Sequence, residues 1–300
     1  MIWLPIAMLS NMAWGLGTMF DKYILNNRAH NPLVYQFWIT LLGLPILIFM
    51  IPFVDFVIPP WEIIGLIFLA EILSFTGDIL YIYSVKDEDI TRINMLWSLI
   101  PVFTLIIAWF AINQKLDTNE LSAFAFLLLG SILASIHIVK GKKLKISKVF
   151  FKMAGACLLF AIATVIISYL TTQINFFNIF IWGYLCLIPI MASLFLNQNF
   201  KRNLKKSLKL LDKKTTALIL TATQLGNAGS LLNIWALSLG PAALVFALEG
   251  FQMLFVFAIT ILVSLFTNIR LHEELDRKNL ILKAAALIVV ISGILTLNLS

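Results

Sequence analysis

Residues 71–85 read Glu71-Ile-Leu-Ser-Phe-Thr-Gly-Asp-Ile-Leu-Tyr-Ile-Tyr-Ser-Val85, and a shift of 152 positions lays them on Thr223-Gln-Leu-Gly-Asn-Ala-Gly-Ser-Leu-Leu-Asn-Ile-Trp-Ala-Leu237. Leu73/Leu225, Gly77/Gly229, Leu80/Leu232 and Ile82/Ile234 are identical, and Tyr83/Trp235 and Ser84/Ala236 are alike. Leucine matches weigh little in a leucine-rich chain, so the glycine and the aromatic–small pair carry the comparison. The match runs ungapped to Phe103/Phe255. Beyond it the second copy is several residues longer before Glu273-Glu-Leu-Asp276, the counterpart of Gln114-Lys-Leu-Asp117.

Both copies sit in a chain that must use lipid as solvent. Of 300 residues, 61% are hydrophobic and 12% charged, with 24 Phe and 8 Trp, whereas a soluble domain carries about 25% charged residues. Mean hydropathy is +0.96. Apolar stretches occupy 2–20, 33–53, 61–85, 93–112, 121–139, 149–170, 176–196, 217–239, 242–266 and 280–297. Each is close to the roughly 20 residues a helix needs to cross the hydrocarbon. A strand of a membrane barrel would alternate every second residue, and these do not, so they are predicted as helices. Nothing positive precedes 2–20, and Asp21 and Lys22 follow it. That is the reverse of a secretory signal, so this stretch is expected as the first helix.

The repeat therefore holds five crossings per copy, and an odd number turns the second copy over in the membrane. We expect an all-α integral membrane protein whose ten transmembrane helices form two inverted five-helix repeats. The first would span 1–140, a basic cytoplasmic linker 141–148, and the second 149–300. Such repeats place a binding site near the bilayer midplane and give two states of similar packing energy, open to opposite sides.

The net charge of +7 invites a nucleic-acid reading, but its distribution answers it. When loops are assigned alternately to two faces, Lys115 is the one Lys or Arg of 22 that falls on the face with the chain ends. Lys140, Lys142, Lys143, Lys145 and Lys148, and Lys201, Arg202, Lys205, Lys206, Lys209, Lys213 and Lys214, all fall on the other. The positive-inside rule makes that face cytoplasmic, so the basic loops signal topology in a plasma membrane (the bacterial inner membrane) and no nucleic-acid partner is expected. Trp3, Trp61, Trp109, Trp182 and Trp235 fall near the outer helix ends, as an interfacial belt would. Cys157 and Cys186 lie in apolar runs, and His30, His137 and His272 are scattered, so no disulfide framework, metal site or other cofactor is expected.

The whole chain resembles the ten-helix EamA branch of the drug/metabolite transporter superfamily. The resemblance rests on Trp14-Gly15 with Lys22 and Pro32, on Tyr83-Ser84-Val85, Leu99-Ile-Pro101-Val-Phe, Gln114-Lys-Leu-Asp117 and Gly130, and in the second copy on Trp235-Ala-Leu237, Pro241 and Glu273-Glu-Leu-Asp276 with Gly293. The chain departs from the pattern at Met253, which stands opposite Pro101, and at Gln114, where Glu is frequent. The resemblance implies transport of a metabolite or drug.

Polar groups inside the membrane are the remaining clue, because an ionisable side chain there costs about 2.5–3.5 kcal/mol on insertion scales. Glu71, Ser74, Asp78 and Tyr81 follow one another at helical spacing on one face. The repeat carries that face onto Thr223, Gly226, Ser230 and Asn233, with Gln224 and Asn227 beside it. Glu249 and Gln252 share a face one turn apart in the ninth stretch. Asn11, Trp14, Gln36, Asn94 and Trp97 are the polar or aromatic candidates on facing helices. Two readings fit this set: a wet central cavity, or hydrogen bonds between helices. Arg92 is a candidate partner for Asp78 or the Asp87-Glu88-Asp89 cluster.

The leading functional expectation is a secondary transporter that moves a small solute, an amino acid or amine favoured, by alternating access. Glu71 or Glu249 would exchange a proton, or one of them would hold an ammonium group with help from Trp14 and Trp97. Protons and lipid are then the other partners. The alternative is a membrane-embedded enzyme acting on a lipid-linked substrate, for which Asp87-Glu88-Asp89 is the available acidic cluster; no phosphate loop accompanies it.

Overall fold

The computed structural model describes residues 1–27, 31–87, 96–135, 148–208, 212–266 and 277–298, and those residues form helices and connecting turns without a strand. In chain order the helices are α1 (Trp3–Asn27), α2 (Pro32–Gly43), α3 (Pro45–Met50), α4 (Trp61–Asp87), α5 (Leu99–Ile112), α6 (Thr118–Ser135), α7 (Lys148–Leu170), α8 (Phe176–Ser193), α9 (Gln198–Leu208), α10 (Lys213–Leu237), α11 (Ala242–Ala247), α12 (Glu249–Phe266) and α13 (Arg277–Asn298).

Local chemistry sets many of the ends. Asn31 caps α2 through Val34 N, with Pro32 at the first turn, and Asn175 and Asp212 cap α8 and α10 in the same way. At α6, Asp117 Oδ1 accepts from Glu120 N at 2.7 Å while Glu120 Oε2 accepts from Asp117 N at 3.0 Å. This is a reciprocal capping box. Asn113 ends α5 in the left-handed region at φ 51°. These residues belong to the Gln114–Asp117 motif and its flanks, which explains in part why that turn is legible.

Among the described residues five stretches are long and apolar enough to cross a membrane: Leu33–Phe53, Trp61–Tyr81, Phe150–Leu170, Phe176–Leu196 and Ala242–Ile259. Leu99–Ile112, Thr118–Leu133 and Ile281–Leu297 are shorter apolar helices. The 25-residue helices α1 and α10 are less apolar because Ser10, Asn11, Gln224, Asn227 and Asn233 interrupt them, and these two helices lie along each other. The outer surface shows Phe53, Phe110 and Leu196 more than 80% exposed. Side chains of that kind left open in number belong against lipid.

Helix contacts occur in matched couples. Helix α1 packs on α10 as α4 packs on α7, α12 meets α1 as α5 meets α7, and α2 meets α10 as α8 meets α4. Helices α6 and α13 face each other, as do α5 and α11. Glycines permit the closest of these approaches. A Cβ at Gly77 would stand 3.0 Å from the Phe160 ring, and one at Gly229 would run into the Trp14 indole. Gly130 of α6 receives Val290 and Ala286, and Gly293 of α13 receives Leu127 and Ala123.

Several expectations need correction. The stretch at 33–53 is broken between Leu44 and Pro45, where the missing proline N–H interrupts the ladder. The stretch at 242–266 is broken at Leu248, whose ψ is 0°. The basic segment after 196 is not a plain loop. It folds as α9, seated by Phe200 among Phe37 and Phe195 and by a bond from Trp38 Nε1 to Ser207 Oγ at 3.1 Å. Trp3 is not a membrane-facing belt residue; it is 5% exposed and lies on Gly240. Trp182 donates to Val57 O at 3.0 Å, and Asn178 bonds Asp55 O and Val57 N, so α8 pins the 54–60 connection.

Candidate functional site

Helix α4 presents Glu71, Ser74, Asp78 and Tyr81 on one face, all half-buried. The structure distributes them between two polar nests. In the first, Glu71 lies against Gly183 of α8, where a Cβ would stand 2.6 Å from Oε1. The next residue, Tyr184, donates its hydroxyl to Asn227 Oδ1 of α10. Gly43 of α2 makes room for the Tyr184 ring, since a Cβ there would come within 3.0 Å of Cε1. Asn227 Nδ2 and Thr223 Oγ1 are buried without a partner among the described residues. Gln224 and Asn227 also form the polar part of an otherwise apolar cavity of about 380 Å³, walled by Ile46, Met50, Phe53, Phe177 and Leu231.

In the second nest, Gln36 Nε2 of α2 donates to Asp78 Oδ2 at 3.3 Å. The Tyr81 ring lies 4.8 Å from that of Trp97, and Trp97 lies 5.3 Å from Phe160 of α7. Phe246 of α11 packs into the same cluster. Glu249 stands three residues further on, at the first position of α12 beyond the break, and its Oε2 is buried with no partner among the described residues.

The other predicted residues fall as follows. Asn11 is 3% exposed and its amide bonds Ala7 O at 2.8 Å, so its donor is used within α1. Trp14 sits on Gly229 and away from the Tyr81–Trp97 pair. Gln252 packs beside Gly15, and Ser230 is half-buried. Asn94 lies outside the described residues, as do Arg92, Glu88 and Asp89.

Three contributors carry little or no signal in the sequence. Tyr184 and Gly183 are a tyrosine and a glycine in an apolar run, and only the fold shows that they meet Glu71 and Asn227. Asp21 shows in the sequence only as a charge after the first apolar stretch, yet it accepts from the buried Tyr35 hydroxyl at 2.5 Å and ties α1 to α2. The fourteen-residue spacing of that pair carries no helical signal. Among the described residues no group of three or more His, Cys, Asp or Glu could hold a metal ion.

Apolar helices with lipid-type outer faces around buried polar groups define an integral membrane protein. Residues 1–136 match the model of the EamA-like transporter family. The family lies in the drug/metabolite transporter superfamily, whose members are membrane transporters and not enzymes. No curated protein matches. A crystal structure described only as that of a protein superposes with a TM-score of 0.70 at 11% identity, covering 98% of this chain and 95% of that one. Likeness at that identity speaks for the fold alone.

Proposed function

We propose that this transporter moves a small metabolite or drug-like solute, an amino acid or amine favoured, by alternating access between two inverted five-helix repeats. The repeats are residues 1–140 and 149–300, joined by a basic linker. The single observation that carries the reading is Glu71, a carboxyl placed on Gly183 beside the Tyr184–Asn227 pair, of which Asn227 lines a cavity of about 380 Å³. Pockets of roughly 300–1,000 Å³ take small molecules. The matched couples of helix contacts support the repeat, because exchanging the first five predicted crossings for the last five maps the couples onto one another. Two halves of that kind have two packings of similar energy. Glu71 is the group that exchanges a proton and so ties solute movement to the proton gradient, in a plasma membrane with the basic segments cytoplasmic.

Two measurements test this. Proteoliposomes carrying the purified protein should take up an amine or amino acid when a pH gradient is imposed, and Glu71→Gln should lose the gradient-driven part. Single cysteines at positions 145 and 205 should react with an impermeant thiol reagent from the same side. Labelling from opposite sides overturns the inverted arrangement.

A further inference from the structure

Between Asn197 and Thr216 the chain carries seven Lys or Arg residues and one acid, Asp212. A topology signal asks only that such charges lie on one side of the membrane; it does not ask for order. Here a helix sorts them. In α9, Phe200 is buried and Leu204 and Ser207 are half-buried, at helical spacing on one face. Lys201, Arg202, Lys205 and Lys206 are all exposed on the other. An 11-residue helix is marginal by itself in water, and α2 is what holds this one. The Phe200 ring stands edge-on to Phe37 at 5.6 Å, and Trp38 Nε1 donates to Ser207 Oγ at 3.1 Å.

Trp38 also clusters with Leu218 and Ile219 of α10, so α2 is the wall on which both basic segments rest. Lys213 and Lys214 are exposed at the first two positions of α10. The unpaired N–H groups of a helix start disfavour cations and favour anions. Asp212, the acid of the segment, is engaged as the cap of that helix, accepting from Thr215 N at 2.7 Å. Arg202 Nη2 reaches the neutral Asn199 Oδ1 at 3.4 Å. Apolar side chains border the charges, with Phe195 40%, Leu196 86% and Leu208 55% exposed. Leu196 ends the apolar stretch Phe176–Leu196, so this rim stands where hydrocarbon gives way to headgroups. Cations beside an exposed apolar rim match a surface that is acidic outside and oily beneath. A soluble anion would use the charges and leave the rim in water.

We propose that the exposed face of α9, with Lys213 and Lys214 at the start of α10, binds the headgroups of anionic phospholipids, while Phe195, Leu196 and Leu208 lie against their acyl chains. The site belongs to the membrane surface and does not depend on which solute the protein moves. Through Phe37 and Trp38 an occupied face bears on α2, the helix that carries Gln36 to Asp78.

The test uses the full chain in a neutral detergent and three probes, dioctanoyl phosphatidylglycerol, dioctanoyl phosphatidylcholine and glycerol 3-phosphate, followed by calorimetry at low and high salt. The anionic lipid should bind, and more weakly at high salt. The zwitterionic lipid and the headgroup without chains should not bind. Lys201→Gln with Lys205→Gln, and Arg202→Gln with Lys206→Gln, should each weaken the anionic lipid by about tenfold or more. These side chains are exposed, and each pair leaves the other basic residues of the segment in place, so insertion and folding are kept; size-exclusion profiles check this. Phe200→Ala keeps every charge but unseats the helix, and should weaken binding several-fold. Lys142→Gln, Lys143→Gln and Lys145→Gln together should leave the affinity within about twofold. Equal binding of the two lipids, an affinity for glycerol 3-phosphate equal to that for the anionic lipid, or an affinity unchanged by both α9 pairs overturns the site. An unchanged affinity in Phe200→Ala, or an equal loss from the variant at 142, 143 and 145, reduces the attraction to diffuse charge and overturns it too. Solute uptake has no part in this readout, so a failure of the transport reading leaves the lipid site standing.

Discussion

The Trp14 indole of α1 lies on Gly229 of α10, and the Phe160 ring of α7 lies on Gly77 of α4 in the same manner. Gly77 and Gly229 are the identical pair from the repeat, whereas Trp14 and Phe160 share only aromatic character. The contact is therefore kept by shape: a flat ring needs a helix surface without a Cβ. Gly77→Ala and Gly229→Ala should each overpack the seam by about 1–3 kcal/mol. Both should lower the melting temperature in detergent by several degrees. Phe160→Leu combined with Gly77→Ala should recover part of the loss, because the branched side chain can leave the space the methyl needs. A Gly77→Ala protein that melts like the wild type would show that the rings do not rest where they are placed.

Gly183→Ala separates position from stability. The added Cβ would meet the Glu71 carboxylate at 2.6 Å, but that is the end of a flexible side chain and can swing away. The fold should tolerate the change with little shift in melting. The carboxylate should not keep its place, so gradient-driven uptake should fall on the order of tenfold. Equal uptake by Gly183→Ala and wild type in proteoliposomes would detach Glu71 from the coupling step.

Tyr184 and Asn227 form a pair whose loss is asymmetric. Asn227 Nδ2 already lacks a partner. Tyr184→Phe removes the donor that satisfies Oδ1 as well, and a buried acceptor left open costs about 1–3 kcal/mol. The double variant Tyr184→Phe with Asn227→Leu removes both polar groups and should be more stable than Tyr184→Phe alone. Thermal unfolding of the four proteins closes the cycle, and additive losses would show that the two side chains do not interact.

The sequence exposed what is periodic and hid what is not. Gly77 and Gly229 were visible because a fixed shift superposes them, and Glu71, Ser74, Asp78 and Tyr81 because helical spacing puts them on one face. The same logic reached Asn227 and Glu249. It could not reach the contact of Tyr184, whose partner is 43 residues away on another helix, nor that of Tyr35 with Asp21, because a contact between helices leaves no spacing rule. Asn11 shows the opposite failure. A polar residue inside an apolar helix reads as a site candidate, yet its amide can be satisfied by the carbonyl four residues back, and here it is. Trp3 likewise reads as an interfacial anchor until Gly240 is seen beneath it.

Gln114 gives the sharpest test of how the turn between α5 and α6 holds α11. In the sequence it reads as a departure from the pattern that the chain resembles. In the structure Gln114 Oε1 accepts from Ala242 N at 3.0 Å, so the turn between α5 and α6 caps the start of α11. Pro241 occupies the N-cap and offers no side-chain acceptor, which leaves this donor to Gln114. Gln114→Ala should cost about 0.5–2 kcal/mol, the range for loss of an N-cap acceptor. Gln114→Glu should hold or raise stability, because an anion at a helix start is favoured by the unpaired N–H groups there. If the bond also fixes one end of the solute pathway, Gln114→Ala should speed exchange across the membrane while the melting temperature falls, and Gln114→Glu should slow it. Melting and uptake measured on the two variants decide this. A pair that changes stability in the stated order but leaves uptake constant assigns the bond to the fold alone, and a Gln114→Ala protein as stable as wild type removes the cap altogether.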